Sequence, residues 1–119
     1  MNVNGEIRLH LDRQVATLRY SESRSSLSID VVLVPPAFRG RGIGRALIDR
    51  VLLLADASHR ETHLSARPIG SSDPKDLERL VRYYESMGFR VVDRGMTAVQ
   101  MRRPPREPCD APYALLPTY

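Results

Sequence analysis

Alternation opens the chain. From Glu6 to Leu11, Ile7, Leu9 and Leu11 fall on one side and Arg8 and His10 on the other, the period-two pattern of a half-buried strand. Asp12-Arg13 reads as a short turn. Val15 to Tyr20 predicts a second strand with looser alternation, and Ser21 to Ser26 a polar, hairpin-like link. A third strand runs from Leu27 to Val34. Its end, Val31-Val32-Leu33-Val34, is apolar at every position, which predicts burial on both faces and a central place in a sheet. Three strands joined by short polar links predict an antiparallel meander.

Pro35-Pro36 stops the third strand, because proline brings no ladder donor. A loop, Ala37 to Arg41, leads to a helix from about Gly42 to Ser58. Its stripe is Ile43, Ala46, Leu47, Val51, Leu54 and Ala55, with Arg45, Asp49, Arg50 and Asp56 opposite. Thr62 to Ala66 predicts a fourth strand, and Arg67 to Ser72 a Gly/Ser/Pro loop. Asp73-Pro74 is an N-cap with proline at the first helical position. The second helix carries Leu77, Leu80, Val81, Tyr84 and Met87 on one stripe and stops at Gly88 as its C′ residue. Phe89 to Val92 and Thr97 to Met101 are two last strands around a turn at Asp93 to Met96. Arg102 to Tyr119 is a tail holding five of the nine prolines, expected to be extended and poorly ordered in isolation, with Tyr113, Leu115, Leu116 and Tyr119 available for docking. The domain is assigned to residues 1–103 and the Pro-rich tail to 104–119.

Composition narrows the class. A chain of 119 residues is one domain, and 42% hydrophobic with 27% charged residues is the balance of a soluble globular protein. One cysteine, Cys109, excludes a disulfide framework and a Cys-based zinc site. The longest apolar run, Val51 to Ala55, is too short to span a bilayer, and the N-terminus lacks the apolar stretch of a signal peptide. No membrane partner and a reduced, cytoplasmic setting are expected. The net charge is +4, and all basic residues but Lys75 are arginine. Most are scattered, as compositional bias would scatter them. Arg39, Arg41 and Arg45 are grouped, and arginine holds phosphate and carboxylate in a fork.

That group sits in the segment with the most chemistry, Val34-Pro-Pro-Ala-Phe-Arg-Gly-Arg-Gly-Ile-Gly-Arg-Ala-Leu47. A strand ends, a Gly-rich turn follows and a helix begins. Gly40, Gly42 and Gly44 permit a tight turn and close ligand approach. Free N–H groups of the first helical turn, with the helix dipole, make an anion site. A Walker loop is excluded, since no Gly-Lys-Ser/Thr is present. A dinucleotide fingerprint also fails, with Arg45 on its last glycine position. A capped turn that binds nothing stays open on spacing alone.

The stretch resembles the R/Q-x-x-G-x-G/A signature of the GNAT N-acetyltransferase superfamily, with Arg39, Gly42 and Gly44 on the signature positions. Val34-Pro35-Pro36 before it and Ile43, Ala46 and Leu47 after it also match. Tyr84-Glu-Ser-Met-Gly-Phe89 is similar to the Tyr-x-x-x-Gly-Phe that ends the superfamily's last helix, and the order of elements agrees from Glu6 to Arg103. The chain departs from the pattern at its start, beginning at the superfamily's second strand. In this it resembles minimal members of the phage anti-CRISPR acetyltransferase kind, as do the strand Ile29 to Val34 and the segment Ala66 to Phe89.

The resemblance implies an α/β fold with a mixed, mostly antiparallel central sheet and two main helices. It implies acetyl-CoA as co-substrate, in a cleft where the strand Ile29 to Val34 splays from the strand Thr62 to Ala66. The pyrophosphate would sit on Gly40, Arg41, Gly42, Ile43, Gly44 and Arg45 with Arg39 beside them. Leu33 and Val34 would pair with the pantetheine and offer a backbone N–H to the thioester carbonyl. Tyr84 matches the acid that protonates the leaving thiolate; its packing role on the apolar stripe is the competing account. Tyr83, about 100° round the helix, is the weaker candidate. Asp30 is the candidate base, with Glu61 and water as alternatives. No metal is expected, since His10, His59 and His63 lack ligand spacing, and Cys109 lacks a histidine partner for nucleophilic work.

The function implied is acetyl transfer by direct attack of a primary amine, either a small molecule or a protein lysine. The alternative is a CoA-binding sensor or interaction module without turnover. A nucleic-acid partner is disfavoured by the single lysine and the missing aromatic platform. An exposed strand edge favours a homodimer.

Overall fold

The computed structural model describes residues 3–68, 70 and 72–106. Strands β1 (Val3–Leu11), β2 (Gln14–Glu22) and β3 (Ser26–Leu33) form the expected antiparallel meander. The β1–β2 turn is the two residues Asp12 and Arg13, and Asp12 at φ 58° supplies the left-handed conformation such a hairpin needs. Helix α1 (Ile43–Ala57) crosses to β4 (Glu61–Ala66), which lies parallel to β3. Helix α2 (Pro74–Glu85) leads to β5 (Arg90–Arg94), and β6 (Val99–Arg103) inserts between β4 and β5, antiparallel to both. The single sheet has the order β1-β2-β3-β4-β6-β5. The mixed, mostly antiparallel sheet with two helices is the architecture the resemblance implied.

One sheet face makes the core. Leu18, Leu27, Ile29, Leu64, Val99 and Met101 point into it and meet Leu47, Ile48 and Val51 of α1 and Val81 of α2. Each such side chain contributes about 1.5–3 kcal/mol by leaving water. The opposite face is polar and laced by surface ion pairs, Glu6 with Arg8 and Arg19 and Glu61 with Arg102, and Glu61 also shares a hydrogen bond with His63.

Local chemistry sets the element ends. Asp73 caps α2 by accepting from the Lys75 N–H at 2.9 Å. At the other end the Gly88 N–H donates to Glu85 O at 3.0 Å and the Phe89 N–H to Tyr84 O at 3.2 Å. With Gly88 at φ +100° this is a Schellman closure, and Gly88 is its C′ residue as expected. Phe89 is held in that closure, so β5 begins at Arg90, later than its apolar run suggests. A turn closed by Gly95 N–H to Ala98 O at 2.9 Å likewise moves the start of β6 to Val99.

Two expectations need correction. The end of β3 is not buried on both faces: Val31 is 37% and Leu33 50% exposed. Its neighbour β4 pairs with it only from Ser26–Glu61 to Ile29–Leu64 and then leaves. Arg102 and Arg103 belong to β6 and not to a tail. Arg103, 3% exposed, donates to Met87 O at 3.1 Å and to both Asp56 carboxylate oxygens at 2.8 and 3.1 Å. The Arg106 N–H adds a bond to Asp56 at 2.9 Å. Burial alone would raise the Asp56 carboxyl, but these donors and charges outweigh it and hold it below its usual range. Cys109 and the tail residues Tyr113, Leu115, Leu116 and Tyr119 lie outside the described residues.

Candidate active site

The Gly-rich turn is built by three local devices. Pro35 and Pro36 end β3 and start a single 3₁₀ turn, Pro36–Phe38. The Arg39 Nε donates to Val34 O at 3.0 Å, tying the loop back to the strand. Gly42 then takes φ +78° as the N-cap of α1, a conformation a side chain would strain. Gly44 has ordinary helical φ, but a Cβ there would touch Val34 and Val32 at 3.6 and 3.8 Å, so the first turn lies close on the end of β3.

Among the described residues no intramolecular hydrogen bond reaches the amides of Gly40, Arg41, Gly42, Ile43, Gly44 and Arg45. No acidic residue occupies the first turn of α1 and no side chain caps it. Helix ends are ordinarily supplied with one or the other. Arg39, Arg41 and Arg45 are exposed and in no ion pair among the described residues, unlike Arg8, Arg19, Arg60, Arg94, Arg102 and Arg103. The Arg41 guanidinium stacks on Phe38, 5.4 Å from the ring centre. This turn lines a cavity of about 410 Å³ that reaches Tyr83. Open amides, a helix dipole and unpaired arginines fit a polyanion such as a pyrophosphate.

Beside it is a larger cleft of about 650 Å³, made by the divergence of β3 and β4. The divergence coincides with a bulge. Tyr20 opposes Ile29 and Arg19 opposes Val31, so Asp30 is the extra residue on β3. Residues 30–34 form one wall, Leu64, Ser65 and Arg67 the other, and Ile48, Leu80, Tyr83 and Tyr84 close the helix side. An apolar strand end facing no partner strand offers both a ladder edge and greasy side chains to an extended ligand.

Tyr84 lies half-buried on this cleft, and the Schellman closure explains why the Tyr, Gly and Phe stand at that spacing. Tyr84 is the C3 residue and Phe89 the C″ residue, and their rings make the accompanying contact edge-on at 5.8 Å. The Tyr84 hydroxyl has no hydrogen-bond partner among the described residues. Burial, with a smaller contribution from Tyr83, pushes its pKa up to about 12. Asp30 lines the cleft but is exposed, and accepts from the Ser21 Oγ at 2.6 Å. Glu61 is remote: it opposes Ser26, at the end of the β3–β4 ladder away from the cleft, and is engaged by His63 and Arg102.

Leu33, Val34, Arg39, Gly40, Gly42, Ile43, Gly44, Arg45, Asp30 and Tyr84 thus all line one of the two adjoining cavities, and Arg41 lies on the loop between. Helical phase undervalues Tyr83. It lines both cavities, its ring 5.4 Å from that of Tyr84. Burial raises its pKa, with Arg45 opposing and Asp49 adding to the shift. Sequence reasoning misses Arg67 as well, since a loop arginine gives no signal of facing a cleft. Among the described residues no cluster of three or more His, Cys, Asp or Glu could hold a metal, and no helix is long and apolar enough to cross a membrane.

Comparison with known proteins agrees with this fold. A family model described as an acetyltransferase (GNAT) domain matches residues 5–91. No curated protein matches the chain. Among solved structures, anti-CRISPR protein AcrVA5 is 28% identical with a TM-score of 0.62, over 82% of this chain and 97% of that one. An acyl-CoA N-acyltransferase from Pseudomonas aeruginosa is 26% identical with a TM-score of 0.67, over 84% and 67%. The PaiA N-acetyltransferase from Thermoplasma acidophilum, solved with coenzyme A, is 13% identical with a TM-score of 0.66, over 85% and 60%, a likeness of fold. The chain spans nearly all of the first and two thirds or less of the last.

Proposed function

The chain belongs to the GNAT acetyltransferase family, and from that premise we propose how its own residues carry out acetyl-CoA-dependent N-acetyl transfer and what they act on. The observation that carries the reading is the junction of two features: a turn with six unpartnered amides and a cleft opened by the β3–β4 divergence. The amides of Gly40 to Arg45 hold the pyrophosphate, with Arg39, Arg41 and Arg45 adding charge. The free edge of β3 at Leu33 and Val34 takes the pantetheine as a strand would, and a backbone N–H there faces the carbonyl. Acetyl-CoA supplies an acetyl group activated as a thioester.

Tyr84 holds its proton throughout the neutral range, because burial puts its pKa near 12. Complete transfer from such a phenol to an ordinary thiolate is uphill by roughly 5 kcal/mol. Its role is therefore a hydrogen bond to the sulfur as charge develops there, with solvent completing the protonation. Asp30, held by Ser21, is placed to draw the acceptor ammonium toward the bulge. The ammonium loses its first proton to solvent, and Asp30 takes, directly or through water, the proton the nitrogen sheds as it bonds to the acetyl carbon.

The acceptor is a primary amine on a protein, a lysine. Asp30, Val31, Leu33, Ser65 and Arg67 at the cleft mouth are all exposed, so nothing among the described residues encloses a small amine. Intact-mass analysis of candidate proteins incubated with acetyl-CoA should show an added acetyl group, mapped to lysine. Transfer only to small polyamines would refute the protein acceptor. CoA binding with no transfer to any amine would favour a sensor module.

A further inference from the structure

We propose that β1 is a self-recognition edge through which two copies of this chain join their sheets into one. Among the described residues β1 pairs only with β2, so nine residues of ladder edge are unused. The residues on that edge are self-complementary. Directly opposed residues in an antiparallel pair share a face, so half-buried Ile7, Leu9 and Leu11 must oppose one another or Val3 and Gly5. Among such registers, placing Glu6 on the two-fold axis sets glutamate against glutamate, and placing Arg8 there sets arginine against arginine. Placing Ile7 on the axis pairs all nine residues. Glu6 then meets the second copy's Arg8 and Arg8 its Glu6, Asn4 meets His10, Gly5 meets Leu9, and Val3 meets Leu11.

The apolar side of this seam lies on the helix-bearing face. There Val3 is 58% exposed, and the Tyr20 ring already covers Gly5. Helix α1 contacts β1, and Leu54, 38% exposed, lies on its flank away from Leu52 and Asp56, which line the groove toward α2. A two-fold axis normal to the sheet brings both copies of α1 to the same side, so Leu54 extends the seam. The partner that fits is a second copy, because the charge order Glu6-x-Arg8 complements itself only when read backwards about Ile7.

The test is the mass of the full chain in solution by sedimentation and light scattering. Wild type should be a dimer at high micromolar concentration. Glu6→Arg sets an arginine against the other copy's Arg8, and Arg8→Glu sets a glutamate against the other copy's Glu6. Each should raise the dissociation constant at least about tenfold, since like charges directly opposed destabilise a strand pair. Mixing the two variants restores attraction across the seam and should yield a heterodimer. A monomeric wild type, single variants that dimerise as tightly as wild type, or a mixture without heterodimer would each overturn the proposal. Should a charge variant fail to fold, Ile7→Cys in a Cys109→Ser chain decides the register. Opposed Cα atoms in a strand pair lie about 4.5–5.5 Å apart, within disulfide reach. Mild oxidation should cross-link the chain into a covalent dimer; no cross-link refutes the proposal.

Discussion

Replacing Tyr84 by phenylalanine removes one oxygen from the cleft and leaves the packing intact. The ring keeps its contacts with Phe89 at 5.8 Å and Tyr83 at 5.4 Å. The hydroxyl has no partner among the described residues, so its loss forfeits no hydrogen bond and spares a half-buried group its desolvation. Stability should change by less than about 0.5 kcal/mol. The catalytic cost is separate. A hydrogen bond to a charged acceptor contributes about 1.5–3 kcal/mol, so its loss from the transition state should lower kcat roughly 10- to 150-fold. The KM for acetyl-CoA should hardly move, because the neutral sulfur of the ground state accepts weakly. Initial rates by thiol release, with urea melts of both proteins, supply the comparison. Equal turnover would make Tyr84 a packing residue and place the donor elsewhere. A raised KM at unchanged kcat would make it a binding residue. The pH profile adds a sign. With its pKa raised from 10 to about 12, Tyr84 stays protonated below pH 10. Any basic limb of activity below that should persist in Tyr84→Phe. Folding stability linked to Tyr84 is fully present below pH 10 and is lost as pH rises toward 12.

Gly42→Glu should abolish the thermal stabilisation by acetyl-CoA, worth about 2.7 kcal/mol at a hundredfold excess over Kd, by placing a carboxylate among the open amides; Gly42→Ala, which shares only the backbone strain at φ +78°, should retain part of it. The Kd for CoA should rise only shallowly with salt, since amides outnumber arginines at the turn; a flat response would mean that Arg39, Arg41 and Arg45 do not face the ligand. Asp56→Ala should cost about 3 kcal/mol in urea unfolding, because it leaves the buried Arg103 guanidinium as an unpaired charge. The Asp56 carboxyl is held below its usual range, so that contribution should be present above about pH 4 and fade as pH falls below; a wild-type melt unchanged from pH 7 to 3 would contradict it.

Much of this protein is written in short-range order. Period two at Ile7, Leu9 and Leu11, period 3.6 in the two helices, and the stops at Pro35-Pro36, Asp73-Pro74 and Gly88 are local properties. Backbone sterics and capping act within a few residues, so they survive reading from sequence. The same holds for the Gly-rich turn, whose glycines, arginines and helix start are contiguous, and for Tyr84, Gly88 and Phe89, joined by one Schellman closure. What depends on residues far apart was decided only by the tertiary structure. The apolar run Val31 to Val34 has the composition of a buried strand. It is half-open because β4 leaves after Leu64 and a bulge falls at Asp30, and both depend on how β3 registers against two neighbours. Tyr83 reaches the cleft because α1 and α2 lie on the same sheet face with a gap between them, which helical phase alone cannot convey. Arg103 stands against Asp56, 47 positions away. No pattern in either segment reports that pairing, because an ion pair is selected by three-dimensional proximity and burial, while sequence periodicity records only which side of an element faces water.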